Sequence, residues 1–386
     1  MQNERKRILE MVENGKISAQ EAITLLEALE KKNGATQIES DEEQQDSTTN
    51  EQADNYNKKQ KEDFNKIFQE ELKDFRKDLS QLGSLFMDML NTTVKKVKDF
   101  DVKTPFGDKY EFTYTPEIAQ QPVEKVNVDL PNGTVTIEPA DGDDLQVTFE
   151  VKSPYINESE QETRANVLDK LIVHNDNGKL SIISDMKLTQ INTTILLPVK
   201  QLQGITARLM NGGVSLRDIA TQKLSIKTLN GAVKGVHVDF ERAKIETSNG
   251  AIELREVTGK ELEAETMNGR VYIDGALDDI EAKSINGHVI VTTTTEHSSK
   301  IEAQTVAGVV ELYVPRNLSL TGRASTNFGK LDIGIPDASM VEQQEQFLAK
   351  SIRFDKEVAD ANKLFIEGES KTGSVIVRYA GVSTEQ

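Results

Sequence analysis

Cysteine and tryptophan are absent from this sequence of 386 residues, and aromatic residues make up only 5% of it. Without cysteine there is no disulfide framework, no thiolate metal site and no cysteine nucleophile. Apolar residues, at 37%, are also scarce for a compact globular protein. A repeat protein tolerates this composition, because each repeat buries only a thin line of small aliphatic side chains.

Basic residues are outnumbered: 46 Lys and Arg against 64 Asp and Glu give a formal net charge of -18. This balance excludes bulk binding to nucleic acid, which needs a basic surface. No apolar stretch is long enough to cross a bilayer, and residues 1–10 lack the apolar core of a signal peptide. We also find no lipidation motif. The sequence therefore predicts a cytoplasmic protein with, at most, peripheral contact with the inner face of the membrane.

The first sixty residues predict a helical hairpin followed by a linker. Within residues 1–32, Asn14-Gly15 ends the first helix in a left-handed C-cap, and Ser18 with Glu21 forms a capping box that begins the second. Residues 33–60 are rich in Gln, Asn, Glu, Asp, Ser and Thr and contain almost nothing apolar. Such a composition predicts a disordered linker.

A long amphipathic helix is predicted over residues 61–100, because apolar side chains recur there at steps of three and four. We expect this stripe to pack against a partner helix, a second copy of the chain or the end of the repeat array. The alternative is a peripheral membrane contact, with Phe86 and Met89 in the lipid interface. A transition segment, residues 101–122, leads into the repeats.

From residue 123 to residue 386 the chain repeats a unit of about twenty residues headed by Asn-Gly or an equivalent pair. The spacings between successive glycines are 19, 19, 19, 18, 21 and 21 residues. These glycines are Gly212, Gly231, Gly250, Gly269, Gly287, Gly308 and Gly329, and Gly133, Gly178 and Gly373 are predicted to head further copies.

Apolar and polar residues alternate strictly within each unit, which predicts strands with one buried and one wet face. Ile252 and Val271 are expected in one interior column, and Glu246 and Glu265 on the solvated face. Asn-Gly supplies the positive φ angles of a tight corner, which an antiparallel meander would also use. A Thr or Ser recurs three residues before each of the glycines from Gly231 to Gly308, and this column is most simply a ladder of stacked sites. The sequence thus favours a mainly β fold, a single-stranded β-solenoid, over the meander. A helical insertion is predicted near residues 338–363.

The repeats resemble the Toastrack domain, a bacterial β-strand-repeat family of unknown molecular function that is often labelled "putative adhesin". The opening ILEMVENGKISAQEAITLLEAL resembles the SHOCT-like helical domain that precedes such arrays. The resemblance implies a link to cell-envelope stress systems, in which such genes neighbour phage-shock-type membrane proteins. It implies no catalytic residues.

We predict no catalytic, cofactor-binding or metal-binding residues and no cofactor. The four histidines, His174, His237, His288 and His297, are not at metal-ligand spacing. Asp176-Asn177-Gly178 fails the EF-hand template and predicts a plain turn. The sharpest alternative is the set of Glu263, Glu281 and Glu302, which share one repeat position and would stack as a calcium or catalytic site. The lysines among them favour a solvated surface instead.

These observations together predict a non-catalytic scaffold for protein partners in envelope-stress biology. Phage-shock-type membrane proteins are the candidate partners, and self-association through the 61–100 helix is a second possibility. The alternatives are a carbohydrate-binding or carbohydrate-cleaving β-helix, for which Tyr272 and Tyr313 are the exposed aromatic candidates, and an adhesin.

Overall fold

The computed structural model describes residues 109–154, 159–198, 200–346 and 349–381. These residues form 21 β-strands and one helix, α1 (Glu160–Lys170). The strands are β1 Lys109–Tyr114, β2 Lys125–Asn132, β3 Val135–Pro139, β4 Gln146–Pro154, β5 Ile172–Asp176, β6 Lys179–Ile183, β7 Gln190–Leu197, β8 Leu202–Asn211, β9 Val214–Asn230, β10 Val233–Asn249, β11 Ile252–Asn268, β12 Val271–Asn286, β13 Val289–Thr293, β14 Lys300–Ala307, β15 Val310–Val314, β16 Ser319–Thr326, β17 Leu331–Gly334, β18 Ser339–Gln346, β19 Ala349–Lys356, β20 Lys363–Ser370 and β21 Val375–Tyr379.

Each repeat folds into one coil, made of a strand before the Asn-Gly corner and a strand after it. In the middle of the chain the second strand bends and continues as the first strand of the next coil, which gives the 17-residue elements β9, β10 and β11. Neighbouring coils pair in parallel, so that Ile226 lies opposite Ile245, and Ile245 lies opposite Ala264. The fold is therefore the predicted open β-solenoid and not a meander.

Alternate residues of each coil point inward and form apolar columns along the solenoid. Val233, Ile252, Val271 and Val289 lie in register in one such column and are fully excluded from solvent. Burial of each side chain contributes about 1.5–3 kcal/mol relative to exposure. The predicted interior column of Ile252 and Val271 is confirmed.

From the corner at Gly231 onward, the Thr or Ser three residues before the corner glycine ties that corner to the neighbouring coil. Thr228, Thr247, Thr266 and Ser284 lie in register, as the sequence predicts. Each hydroxyl donates to the carbonyl of the glycine one coil back; the Thr247 Oγ1 atom, for example, lies 2.9 Å from the oxygen of Gly231. The column therefore satisfies buried hydroxyls and corner carbonyls at once.

The corner asparagines and glycines stack in two further columns. Each asparagine side chain donates to the amide oxygen of the preceding one over 2.6–2.8 Å, along Asn132, Asn211, Asn230, Asn249, Asn268 and Asn286. The glycines pack backbone to backbone, and a Cβ added at Gly250 would lie 2.0 Å from the oxygen of Gly231. Gly231 and Gly250 do not have the positive φ predicted for the corner. Glycine is required there by the close approach of the next coil.

The described residues form ten coils, and their order along the stack is sequential only in the middle. β2 pairs with β6 on one side and β8 on the other, and β20 lies between β14 and β16. The order is β6–β7, then β2–β3, then the coils with corners at Gly212, Gly231, Gly250, Gly269, Gly287 and Gly308, then β20–β21, and finally β16–β17. At each end, the coil nearest the chain terminus is therefore second from the end of the stack.

The prediction that Gly178 heads a coil is wrong. β5 and β6 pair antiparallel, and Asn177 and Gly178, with φ of 50° and 75°, form the two-residue turn between them. Positive φ at both central residues is the signature of a hairpin turn that matches strand twist. Asp176-Asn177-Gly178 is thus the plain turn that the sequence predicts.

The helical insertion predicted near residues 338–363 is also wrong. This segment forms the antiparallel hairpin β18–β19, and β19 pairs antiparallel with β16 at the end of the stack. Phe354 of β19 is fully buried, and its ring fills the space above Gly322. Pairing with an open strand edge and burial of Phe354 outweigh the helical propensity of the Glu- and Gln-rich sequence.

Helix α1 is an insertion between β4 and β5 that the sequence did not predict. Ser159 caps it and exchanges hydrogen bonds with Glu162 in a capping box. In the part of the chain that the structure describes, no helix is both long enough and apolar enough to span a membrane.

Strand β1 lies within residues 101–122, predicted as a transition segment, and pairs antiparallel with β4. The helical hairpin, the linker and the amphipathic helix predicted for residues 1–32, 33–60 and 61–100 lie outside the described residues.

We expect Gly250→Ala to lower the free energy of unfolding by roughly 2–4 kcal/mol, because the new methyl group can be accommodated only by separating two coils. Gly142→Ala is the matched control, since a Cβ there meets no atom within 4 Å. Urea unfolding of both variants measures the difference. Equal midpoints of urea unfolding for Gly250→Ala and Gly142→Ala would contradict the close packing of the corner glycines.

Candidate functional site: the charged outer face

The strands before the corners present three outward rows of side chains that run along the stack. We name them by their distance from the corner glycine: the distal row lies eight residues before it, the middle row six and the corner row four. The distal row is Lys223, Arg242, Glu261, Asp279, Lys300 and Phe365; the middle row is Ser225, Lys244, Glu263, Glu281, Glu302 and Glu367; the corner row is Lys227, Glu246, Glu265, Lys283, Gln304 and Glu369.

The middle row contains the predicted glutamate ladder. Glu263, Glu281 and Glu302 lie in register, and Glu367 extends the ladder by one coil. The sequence did not include Glu367 because its coil is far along the chain and enters the stack out of order. Lys244 pairs with Glu263 over 2.5 Å, Lys283 pairs with Glu281, and Lys300 pairs with Glu302 over 2.9 Å. The ladder is thus a surface of mixed and paired charge.

The corner row is buried by its neighbours although it points outward. Glu246 and Glu265 are each only 7% exposed, so the prediction that they are solvated is wrong. Lys227 Nζ lies 2.9 Å from Glu246, and Lys283 Nζ lies 3.8 Å from Glu265. Burial raises the pKa of Glu265 to about 7, and the nearby Lys283 offsets this only in part. Strict alternation cannot detect this burial, because it results from long side chains in adjacent coils.

Three carboxylates, from Glu246, Glu263 and Glu265, lie close enough together to act as ligands for one metal ion. The ammonium of Lys244 already lies among them, 2.5 Å from Glu263 and 3.2 Å from Glu246. Burial opposes the charge on Lys244, but its hydrogen bonds to Glu263 and Glu246 prevail and raise its pKa. A cation of the protein itself therefore already lies at this cluster and offsets part of its negative charge.

A second charged column lies at the bend after the corner. Asp218, His237 and Glu256 occupy equivalent positions in three successive coils and have φ of 52°, 52° and 53°. His237 Nδ1 lies 3.0 Å from Asp218, and His237 Nε2 lies 2.8 Å from Glu256. These hydrogen bonds, to Glu256 first and then to Asp218, raise the pKa of His237. The sequence did not predict this contact, although all three residues stand six positions after a corner glycine.

The aromatic candidates lie on the other side of the Asn-Gly corner from the glutamate ladder. Arg255 covers the ring of Tyr272 at 4.8 Å from its centroid, and the hydroxyl of Tyr313 donates to Glu311 over 2.8 Å. The ring face that would stack on a sugar is therefore occupied at Tyr272. Tyr272 and Tyr313 therefore do not converge with the ladder on one groove, whereas the exposed ring of Phe365 lies in the distal row, on the ladder's own face.

Residues 123–374 match the Toastrack DUF4097 family, and residues 3–34 match the SHOCT-like domain, which confirms both resemblances. "Uncharacterized protein YvlB" of Bacillus subtilis (strain 168) is 34% identical over 387 residues, covering 98% of this chain and 100% of the relative. A crystal structure from Bacteroides fragilis NCTC 9343, described as a "putative adhesin", has a TM-score of 0.38 at 12% identity and covers 70% of this chain and 97% of its own. Another "putative adhesin", from Parabacteroides distasonis ATCC 8503, has a TM-score of 0.37 at 12% identity and the same coverage of 70% and 97%.

We expect Glu265→Gln to remove a specific part of the pH dependence of stability. Because the pKa of Glu265 is raised to about 7 from 4.5, the folded state binds more protons than the unfolded state between these values. The contribution of Glu265 to the free energy of unfolding is therefore largest below pH 4.5 and falls, by roughly 2–3 kcal/mol, as the pH rises to about 7. Urea unfolding across this range measures the difference between the two proteins.

Glu261→Gln, which removes an exposed carboxylate from the same coil, is the control for Glu265→Gln. If the free energy of unfolding of Glu265→Gln depends on pH as steeply as that of the wild-type chain, the burial effect is disproved.

The ring protons of His237 should titrate in NMR spectra with a midpoint above 6.5, because the protonated ring bridges two carboxylates. Its raised pKa means that the contact contributes stability below about pH 6.5 and loses it as the pH rises through the folded-state pKa. Asp218→Asn combined with Glu256→Gln should lower the midpoint. No change in the midpoint would show that the two hydrogen bonds do not form in solution.

Proposed function

The chain belongs to the Toastrack DUF4097 family, and we propose that it is a non-catalytic interaction scaffold of the bacterial cell-envelope stress response. The observation that carries the proposal is the rigid, regularly spaced charged face of the ten-coil stack. Threonine, asparagine and glycine columns fix the corners of the middle coils against one another, so the positions of the outward side chains are set by the backbone. Such preorganisation favours recognition of a partner over a large surface.

The pairing of charges on this face supports binding rather than catalysis. An acid or base catalyst needs a carboxylate that is free to exchange a proton with a bound substrate. In the middle row, Glu263, Glu281 and Glu302 are each held by a lysine. The carbohydrate alternative would need aromatic rings next to these carboxylates, whereas Tyr272 lies across the corner beneath Arg255.

The proposed partners are phage-shock-type membrane proteins, and the proposed location is the cytoplasm, at the inner face of the membrane. The support is the resemblance of the two matched regions to arrays found beside such proteins. In this arrangement the SHOCT-like segment and the predicted 61–100 helix dock to the partner, and the solenoid serves as the platform.

We expect the tagged full chain, crosslinked in bacteria treated with a membrane-disrupting agent, to enrich phage-shock-type membrane proteins over untreated cells. The matched control is the full chain with Phe75→Asp and Leu79→Asp, which introduces charge into the predicted apolar stripe and should reduce the enrichment. Quantitative mass spectrometry of the crosslinked material provides the comparison. Equal recovery from both chains, or recovery of no membrane protein, would contradict the proposed partner.

A further inference from the structure

The distal and middle rows both change from basic to acidic between the coils with corners at Gly250 and Gly269. In the coils with corners at Gly231 and Gly250 the charged residues of these rows are basic, and in the next two coils they are acidic. The basic residues are Lys223, Arg242 and Lys244; the acidic residues are Glu261, Glu263, Asp279 and Glu281. We call these residues together the bipolar groove, because they line a shallow groove of about 480 Å³ over buried apolar residues, with Lys300 at its acidic end.

This arrangement places like charges side by side within the chain. Lys223 lies opposite Arg242, Glu261 lies opposite Asp279, and Glu263 lies opposite Glu281. Like charges on directly opposed strand positions are destabilising. Ion pairs within the chain, of Arg242 with Glu261 and of Lys244 with Glu263, offset part of this repulsion. Opposite charges supplied by a partner would offset the rest.

The rows with segregated charge are also the rows that protrude. The side chains of Arg242 and Glu261 are 66% and 59% exposed, whereas those of Glu246 and Glu265 in the corner row are 10% and 9% exposed. A flat partner would therefore touch the distal and middle rows first. The charges of the corner row are already buried and paired within the chain.

The sign changes at the centre of the stack, with five coils on each side. Consider two copies related by a two-fold axis that runs parallel to the strands at this boundary. Each row of one copy would then face the same row of the other, and the coils of the two stacks would run in opposite order. Lys223 would then face Asp279 of the second copy, Arg242 would face Glu261, and Lys244 would face Glu263. A surface that complements itself under a two-fold axis is what an isologous dimer requires.

The outer coils do not disturb this match. In the next coils outward, Gly204 would face Lys300 and Thr206 would face Glu302, and beyond them Lys125 would face Phe365. No position in the two rows of the ten coils opposes two like charges. We therefore propose that the bipolar groove binds a second copy of this chain, face to face and with the two stacks antiparallel.

The net charge of -18 favours this orientation of two copies over other orientations. Two copies repel each other in most orientations, and the antiparallel face-to-face orientation brings opposite charges together over a whole surface. Interactions of this kind are screened over about 8–10 Å at physiological salt, so they act only at close contact. The inference does not depend on the proposed membrane partner.

The proposal is tested by reversing the charge of the basic half and of the acidic half of the bipolar groove, separately, in the full chain. One variant carries Lys223→Glu and Arg242→Glu, which makes the four distal-row positions of the groove all acidic; the other carries Glu261→Lys and Asp279→Lys, which makes the same four positions all basic. Sedimentation velocity at physiological salt and increasing protein concentration should show dimers of the wild-type chain and a loss of at least tenfold in affinity for each variant alone. An equimolar mixture of the two variants should restore association as a heterodimer, because every facing pair is again of opposite sign.

Lys234→Glu with Lys330→Glu is the matched control, since both lysines are exposed outside the groove and the change in net charge equals that of the first variant. It should associate like the wild-type chain, and urea unfolding of all the variants confirms that each is folded. A wild-type chain that stays monomeric overturns the proposal, as does a mixture that fails to associate. Dimers that persist in both reversed variants place the contact elsewhere, for example in the predicted 61–100 helix, and overturn it equally.

Discussion

The contact between the backbones of successive corner glycines is the constraint on which the rest of the structure depends. With a carbonyl oxygen 2.0 Å from where a Cβ would stand, the coils can approach to strand-pairing distance at the corner only if glycine occupies it. Once the corners are in contact, Thr247 and its equivalents reach the carbonyl of the previous coil, and the asparagine amides reach one another. Every inward and outward row inherits its register from this stack.

This constraint explains how much could be predicted from the sequence. The repeat period, the strands, the interior column of Val271 and the ladder of Glu263, Glu281 and Glu302 follow from periodicity alone, because equivalent residues in parallel coils must stack. The predicted fold class was correct for the same reason. The two family resemblances were carried by the repeat and by the N-terminal segment.

The errors have a shared physical origin in contacts between parts of the chain that are distant in sequence. The segment around Phe354 was predicted as helix because its composition suits a helix, and only the open edge of β16 makes it a hairpin. Glu265 was predicted as solvated because alternation shows only which way a side chain points. It does not show whether large neighbouring side chains cover that side chain. His237 was overlooked because its partners come from the coils on either side and not from its own strand.

The out-of-order coils at the two ends set a rule for how this protein can be built. During synthesis, β16 and β17 leave the ribosome before β20 and β21, yet in the finished stack the later strands separate them from β14 and β15. The coil of β16 and β17 can therefore take its final place in the stack only after β20 and β21 have been made. Loss of the last strands would remove an internal layer and not an end, so the stack cannot be shortened or lengthened one coil at a time from its C-terminus. New coils can be added by simple duplication only in the middle, where chain order and spatial order coincide.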